Sequence, residues 1–189
     1  MRNIEKLLSC LFLSCVVHVT WASVLWVEAE SFRQKGGWSV DQQFIDQMGS
    51  SYLLAHGMGV PVKEASTKVC FPQKGTYHVY VRTYNWTAPW CDGKGPGRFK
   101  IKVGRKTLPG TLGCEGKNWE WQYAGKVAVK EGEEEVSLKD LTGFDGRVDA
   151  IYFTIRAEEV PPAGGKELEN FRRNMCQLPA FPEKKASYD

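Results

Sequence analysis

The sequence predicts an all-β domain, an antiparallel β-sandwich of jelly-roll type with a short C-terminal helix and tail. Two observations carry that reading. Short segments alternating apolar and polar residues recur at close intervals between glycine-rich turns, and no long amphipathic helix separates them. Another sandwich topology is the alternative, and a closed barrel fits less well. With 189 residues and 42% hydrophobic content, the chain can bury an ordinary core in one domain. Its 25 Lys and Arg against 22 Asp and Glu are spread along the chain, so no basic stripe marks a nucleic-acid footprint.

Residues 1–22 read as a secretory signal. Arg2 and Lys6 precede an apolar run over 7–19, and Thr20, Trp21 and Ala22 place small residues at alternate positions for cleavage after Ala22. The run is shorter than the ~20 apolar residues of a membrane span, so export to the periplasm or the cell exterior is expected and a transmembrane anchor is not. A lipoprotein signal using Ser14 and Cys15 ranks second, because the residues after Cys15 stay apolar where a polar tether is needed. Beyond the signal, Cys70, Cys91, Cys114 and Cys176 remain. Their spacing fixes no pairing. Cys91 and Cys114, both in loops, are the pair to test, and free thiols are the expectation for a domain large enough to need no staple.

The elements follow in order. Residues 24–30 alternate, with Leu25, Val27 and Ala29 on one side and Trp26, Glu28 and Glu30 on the other. The turn at Gly36 and Gly37 delivers Trp38 and a short extended segment containing Asp41, and 42–48 reads as a helical turn. Strands are expected over 51–56 and 62–71. The segment 77–84 is the clearest strand: Tyr77, Val79, Val81 and Thr83 form a core face, and His78, Tyr80, Arg82 and Tyr84 a candidate contact face. In 97–103, Phe99, Ile101 and Val103 point inward. In 119–129, Trp119, Trp121, Tyr123, Val127 and Val129 share one parity, which predicts that both tryptophans pack in the core. Strands over 133–141 and 147–156 close the sandwich of residues 23–157, with Asp149 on the parity of Ile151 and Phe153. Residues 158–189 read as a Pro- and Gly-rich linker, a helix with Leu168, Phe171 and Met175 at helical spacing, and a tail leading toward an absent domain.

The stretches WVEAESF, GGWSVDQQFIDQMGSSYLLAHGMGVPV, YHVYVRTYNWTAPW, GTLGCEGKNWEWQYAG and DLTGFDGRVDAIYFT together cover nearly all of 24–155. They resemble the N-terminal module of secreted bacterial FAD-dependent oxidoreductases and, more distantly, the golvesin and xanthan-lyase carbohydrate-binding-domain-like group. The resemblance implies a β-sandwich followed by a dinucleotide-binding domain. The glycine-rich FAD fingerprint of that domain is not in this sequence, so the resemblance implies that this chain binds no FAD and moves no hydride by itself.

Two contact chemistries stand out. Tyr84, Trp86 and Trp90 with Arg82, Asn85 and Asp92, joined by Trp38 and Asp41 from another loop, supply aromatic faces and hydrogen-bonding heads suited to sugar rings or to a docked partner domain. Many sugar-binding jelly-rolls carry a structural calcium on an early EAE-like strand and a late Asp, and Glu28, Glu30 and Asp149 occupy similar places. An ion pair from Asp149 to Arg147 or Arg156 is the alternative. His56 reads as a loop-stabilising residue and His78 as a face residue. The leading function is therefore a non-catalytic accessory module packing on an FAD-dependent catalytic domain. The alternative is a free-standing carbohydrate-binding module; a lyase or hydrolase using carboxylates such as Asp41 and Asp46 ranks last.

Overall fold

The computed structural model describes residues 23–176; residues 1–22, where a signal is expected, and residues 177–189, the expected tail, lie outside the described residues. The order is β1 (Val24–Glu28), β2 (Ser39–Asp41), α1 (Ile45–Met48), β3 (Tyr52–His56), β4 (Ala65–Phe71), β5 (Gly75–Thr83), β6 (Phe99–Val103), β7 (Lys106–Thr107), β8 (Glu120–Val129), β9 (Gly132–Asp140), β10 (Phe144–Thr154) and α2 (Gly165–Cys176). Two antiparallel sheets result. One holds β2, β3, β10, β5 and β8 in that order, with β1 and β3 sharing one edge of the long β10; the other holds β4, β9, β6 and β7. From β3 onward the chain changes sheet at nearly every connection, the crossing pattern of a jelly-roll.

The core between the sheets follows from strand alternation. Tyr77, Val79 and Val81 of β5 meet Ile151 and Phe153 of β10, with Phe99 and Ile101 of β6 and Leu138 of β9 in the same cluster. Each such side chain contributes about 1.5–3 kcal/mol when fully buried.

Two β-bulges overturn the parity expected from sequence. In β8, Val79 pairs with Gly125 but Tyr80 pairs with Tyr123, so Ala124 is an extra residue. Gly125 takes φ +132, open to glycine. Val127 and Val129 therefore face the core, while Trp121 and Tyr123 turn to the outer face of the six-stranded sheet. Trp119 is buried, but in a separate cluster with Met48 and Tyr52 rather than in the core. In β10, Val148 pairs with Thr83 and Ala150 with Arg82, making Asp149 the extra residue. Its carboxylate points away from the core face that its spacing predicts.

The C-terminal segment is a strap across the outer face of the six-stranded sheet. Leu168, Phe171 and Met175 give α2 the apolar stripe expected of it, and Phe171 and Met175 join Trp26, Tyr80, Trp121 and Tyr152. Before the helix, Tyr80 donates to the Ala157 carbonyl. Trp121 Nε1 donates to the Pro162 carbonyl at 3.0 Å. The β5 face expected to be open for contact is thus roofed at Tyr80 and Arg82 by the chain's own return.

Candidate functional site

The sequence-predicted contact residues divide among three environments. Trp38 is only 3% exposed and sets its ring edge-on to Phe99 at 5.8 Å, which makes it a core residue rather than part of a loop surface. Asn85 is 1% exposed; its Oδ1 accepts from Thr87 Oγ1 at 3.0 Å, and a Cβ on Gly95 would lie 1.9 Å from that oxygen, so it fixes the loop internally. Arg82 is 2% exposed and ion-paired. Trp86 lies half-buried, its Nε1 donating to the Phe144 carbonyl and the Arg147 guanidinium standing 5.6 Å over its ring. Trp90, 76% exposed, and Asp92 face solvent on the same loop. Asp41 accepts from Tyr52 Oη at 2.6 Å and from the Gln43 amide at 2.8 Å. Burial pushes its carboxyl up, but those hydrogen bonds outweigh it and hold it below the usual range.

Tyr84 has a different setting. It stacks on Trp119 at 5.6 Å and 25°, and Phe44 meets both rings edge-on at 5.5 and 5.8 Å. The three rings line a cleft of about 370 Å³ whose polar groups are Gln47, Lys117 and Asn118. Residues Ala163 and Gly164 of the strap form another wall, and Arg82 lies at its inner side. Of the eight expected contact residues, the fold brings only Arg82 and Tyr84 to this cleft. Phe44, Gln47, Lys117, Asn118 and Trp119 were not expected there. Trp119 carried an aromatic signal, and it is buried as its parity predicts, but beside Met48 and Tyr52 at the cleft rather than between the sheets.

The cleft is held from beneath by a buried carboxylate. Asp149 Oδ2 accepts from Arg82 Nη1 at 2.8 Å, and both its oxygens accept from Arg172 Nη2 at 2.9 Å. Ser50 Oγ adds a bond at 3.0 Å. Neither Arg147 nor Arg156, the partners expected from sequence, is involved; Arg147 stacks on Trp86 and Arg156 pairs with Glu159. Arg82 also donates to the Ala163 carbonyl, and Arg172 donates to the Met48 carbonyl and lies against Glu28.

The expected calcium ligands fit a cation only in part. Asp149 is committed to two guanidiniums, and among the described residues no group of three or more His, Cys, Asp or Glu side chains has a metal-holding arrangement. Glu28 Oε2 and Glu30 Oε2 are nevertheless buried without hydrogen-bond partners. Burial raises the Glu28 carboxyl above its usual value, and burial with the Glu28 and Asp149 charges drives Glu30 to about 7, against the bonds its own backbone donates. Lys35 Nζ is turned to the carbonyls of Glu30 and Phe32, at 2.5 and 2.6 Å.

Elsewhere, His56 Nδ1 meets Asp145 Oδ1 at 2.5 Å, tying the end of β3 to the start of β10 as a loop-stabilising residue does. His78 stacks on Tyr123. Cys70, Cys91 and Cys114 are free thiols, and burial pushes that of Cys114 up. Among the described residues no helix is long and apolar enough to cross a membrane.

The sequence matches no protein-family profile and no curated protein. Solved structures do resemble the fold. A family 35 carbohydrate-binding module from Clostridium thermocellum superposes with a TM-score of 0.53 at 17% identity, over 69% of this chain and 97% of that one. The GH26-CBM35 β-(1,4)-mannanase of Podospora anserina gives 0.55 at 16% identity over 74% of this chain. This chain spans 29% of the mannanase's length. A family 35 module from an environmental isolate gives 0.50 at 17% identity, over 69% and 92% of the two chains. At these identities the likeness establishes the fold alone, a β-sandwich.

Proposed function

We propose that this domain is a non-catalytic glycan-binding module and that the cleft at Phe44, Tyr84 and Trp119 is its sugar site. The composition of the cleft carries the reading: aromatic rings lie beside the amides of Gln47 and Asn118 and the Lys117 ammonium. Rings pack against the apolar face of a pyranose at little cost in side-chain freedom, and amides and ammonium groups meet its hydroxyls. No carboxylate lines the cleft, so the acid and base pair of glycoside hydrolysis is missing from it. The sandwich shared with carbohydrate-binding modules supports the same choice, and one such neighbour is joined to a mannanase. Affinity electrophoresis through gels cast with plant and bacterial polysaccharides tests it. Retardation by at least one polysaccharide is expected; migration unchanged in every gel overturns the reading.

A second reading, docking on an FAD-dependent catalytic domain, rests on the sequence resemblance and on one observation. Met58, 80% exposed, with Val60, Phe144 and Trp90 presents apolar side chains to solvent, chemistry suited to a protein partner. FAD would then belong to the partner. Met58→Asp should weaken that association and leave glycan retention intact. The partnerless oxygens of Glu28 and Glu30 support a cation site of those two residues, calcium being the candidate, with Asp149 outside it.

A further inference from the structure

The aromatic cleft continues past Gln47. A second hollow of about 300 Å³ lies between α1 and the start of α2, lined by Asp46, Gln47, Lys166, Glu169 and Arg172. The two hollows share Gln47 and adjoin along the strap at Gly164 and Gly165. Side by side along Gln47, they offer two unlike lobes of one candidate groove.

Some charges of the second lobe are already committed. Glu169 binds Arg173 at 2.6 Å, and Arg172 is held by Glu28 and Asp149. Asp46, Gln47 and Lys166 are exposed and, among the described residues, their side chains are unpaired. They offer an acceptor, a donor with an acceptor, and a three-proton donor. No ring lines this lobe. It therefore suits a hydroxyl-rich unit bound by its edge, where the first lobe suits one bound by its face.

We propose that the groove is a site for an extended oligosaccharide: one sugar packs in the aromatic lobe, and the next is hydrogen-bonded by Asp46, Gln47 and Lys166. The module then selects chains over free monosaccharides. This rests on the glycan-binding reading of the first lobe and adds a second subsite to it. That subsite is built by α1 together with the start of α2, so the strap is part of the binding surface.

Calorimetric titration of the full chain with manno-, xylo- and gluco-oligosaccharides of one to six units tests the proposal. Affinity should rise about tenfold or more between one unit and two or three, and then level off; tenfold corresponds to about 1.4 kcal/mol. The double variant Asp46→Ala, Lys166→Ala alters exposed side chains and should keep the melting temperature. It should bind the longer chain with the affinity of the single unit, and the single unit as before. Equal affinity for one and three units, or a variant that keeps the gain with length, overturns the second subsite alone. Silence with every chain overturns both lobes.

Discussion

Arg172 sets Nη2 against both carboxylate oxygens of Asp149 at 2.9 Å, and Arg82 reaches the same carboxylate with Nη1 at 2.8 Å. From there the two guanidiniums diverge. Arg172 continues to the Met48 carbonyl at 2.6 Å, at the end of α1, while Arg82 continues to the Ala163 carbonyl at 3.0 and 3.1 Å. Residues of α1 and its approach form one side of the groove and the strap another, so a single buried carboxylate ties both together.

Asp149→Ala leaves two guanidiniums without their shared counter-charge. Breaking a buried pair from one side costs about 3–5 kcal/mol. Urea unfolding should show a loss of that order, and a loss below ~1 kcal/mol would mean that the shared carboxylate does not hold the two guanidiniums.

Arg172→Met keeps an apolar stem on α2 and removes its charged hydrogen bonds, each contributing about 1.5–3 kcal/mol. Amide exchange should quicken over 168–175 while β5 and β10 stay protected. Unchanged protection across α2 would show that its apolar stripe alone holds it.

Glu30 gives the stability a pH dependence. Its carboxyl is raised from 4.5 to about 7 in the folded chain, so the native state holds that proton more tightly than the unfolded one. The contribution is complete below the ordinary carboxylate value and is lost as pH rises through about 7. Glu30→Gln should flatten the melting temperature over this window. Calcium should raise the melting temperature at about pH 8, where Glu30 is charged, and have little effect at about pH 5.5. No calcium effect at either pH would remove the cation site and leave protonation as the way this carboxyl is neutralised.

Trp86 and Trp90, adjacent in sequence chemistry, should separate in stability. Trp90→Ala removes an exposed ring and should change stability by less than about 0.5 kcal/mol. Trp86→Ala loses the bond to Phe144 and the Arg147 stack and should cost about 1–2 kcal/mol. Equal effects in thermal unfolding would mean the loop anchor is misassigned.

Much of the sandwich was legible because alternation survives wherever strands run without a bulge. Phe99, Ile101 and Val103 face the core as their spacing predicts, and Leu168, Phe171 and Met175 give the C-terminal helix its packed stripe. The bulge at Asp149 left no such mark, and the one at Ala124 left only Gly125 inside its strand. One inserted residue reverses every following side chain, and composition does not change with it. The site was legible only at Tyr84 and Arg82. Phe44 and Trp119 lie far apart in the chain and meet through α1 and β8, and Arg82 finds Ala163 across 81 residues, a contact no local spacing encodes.

On the proposed function, sugar binds at Trp119 rather than at the loop of Trp86 and Trp90. Among the described residues Trp119 Nε1 is buried without an acceptor, which makes its indole N–H a sensitive reporter. Nitrogen-15 spectra recorded while adding the best-retained oligosaccharide test this directly. Saturable shifts of the Trp119 indole and of the side-chain amides of Asn118 and Gln47 are expected, with the Trp90 indole unmoved. Shifts confined to Trp86 and Trp90, or none at saturating sugar, would contradict it.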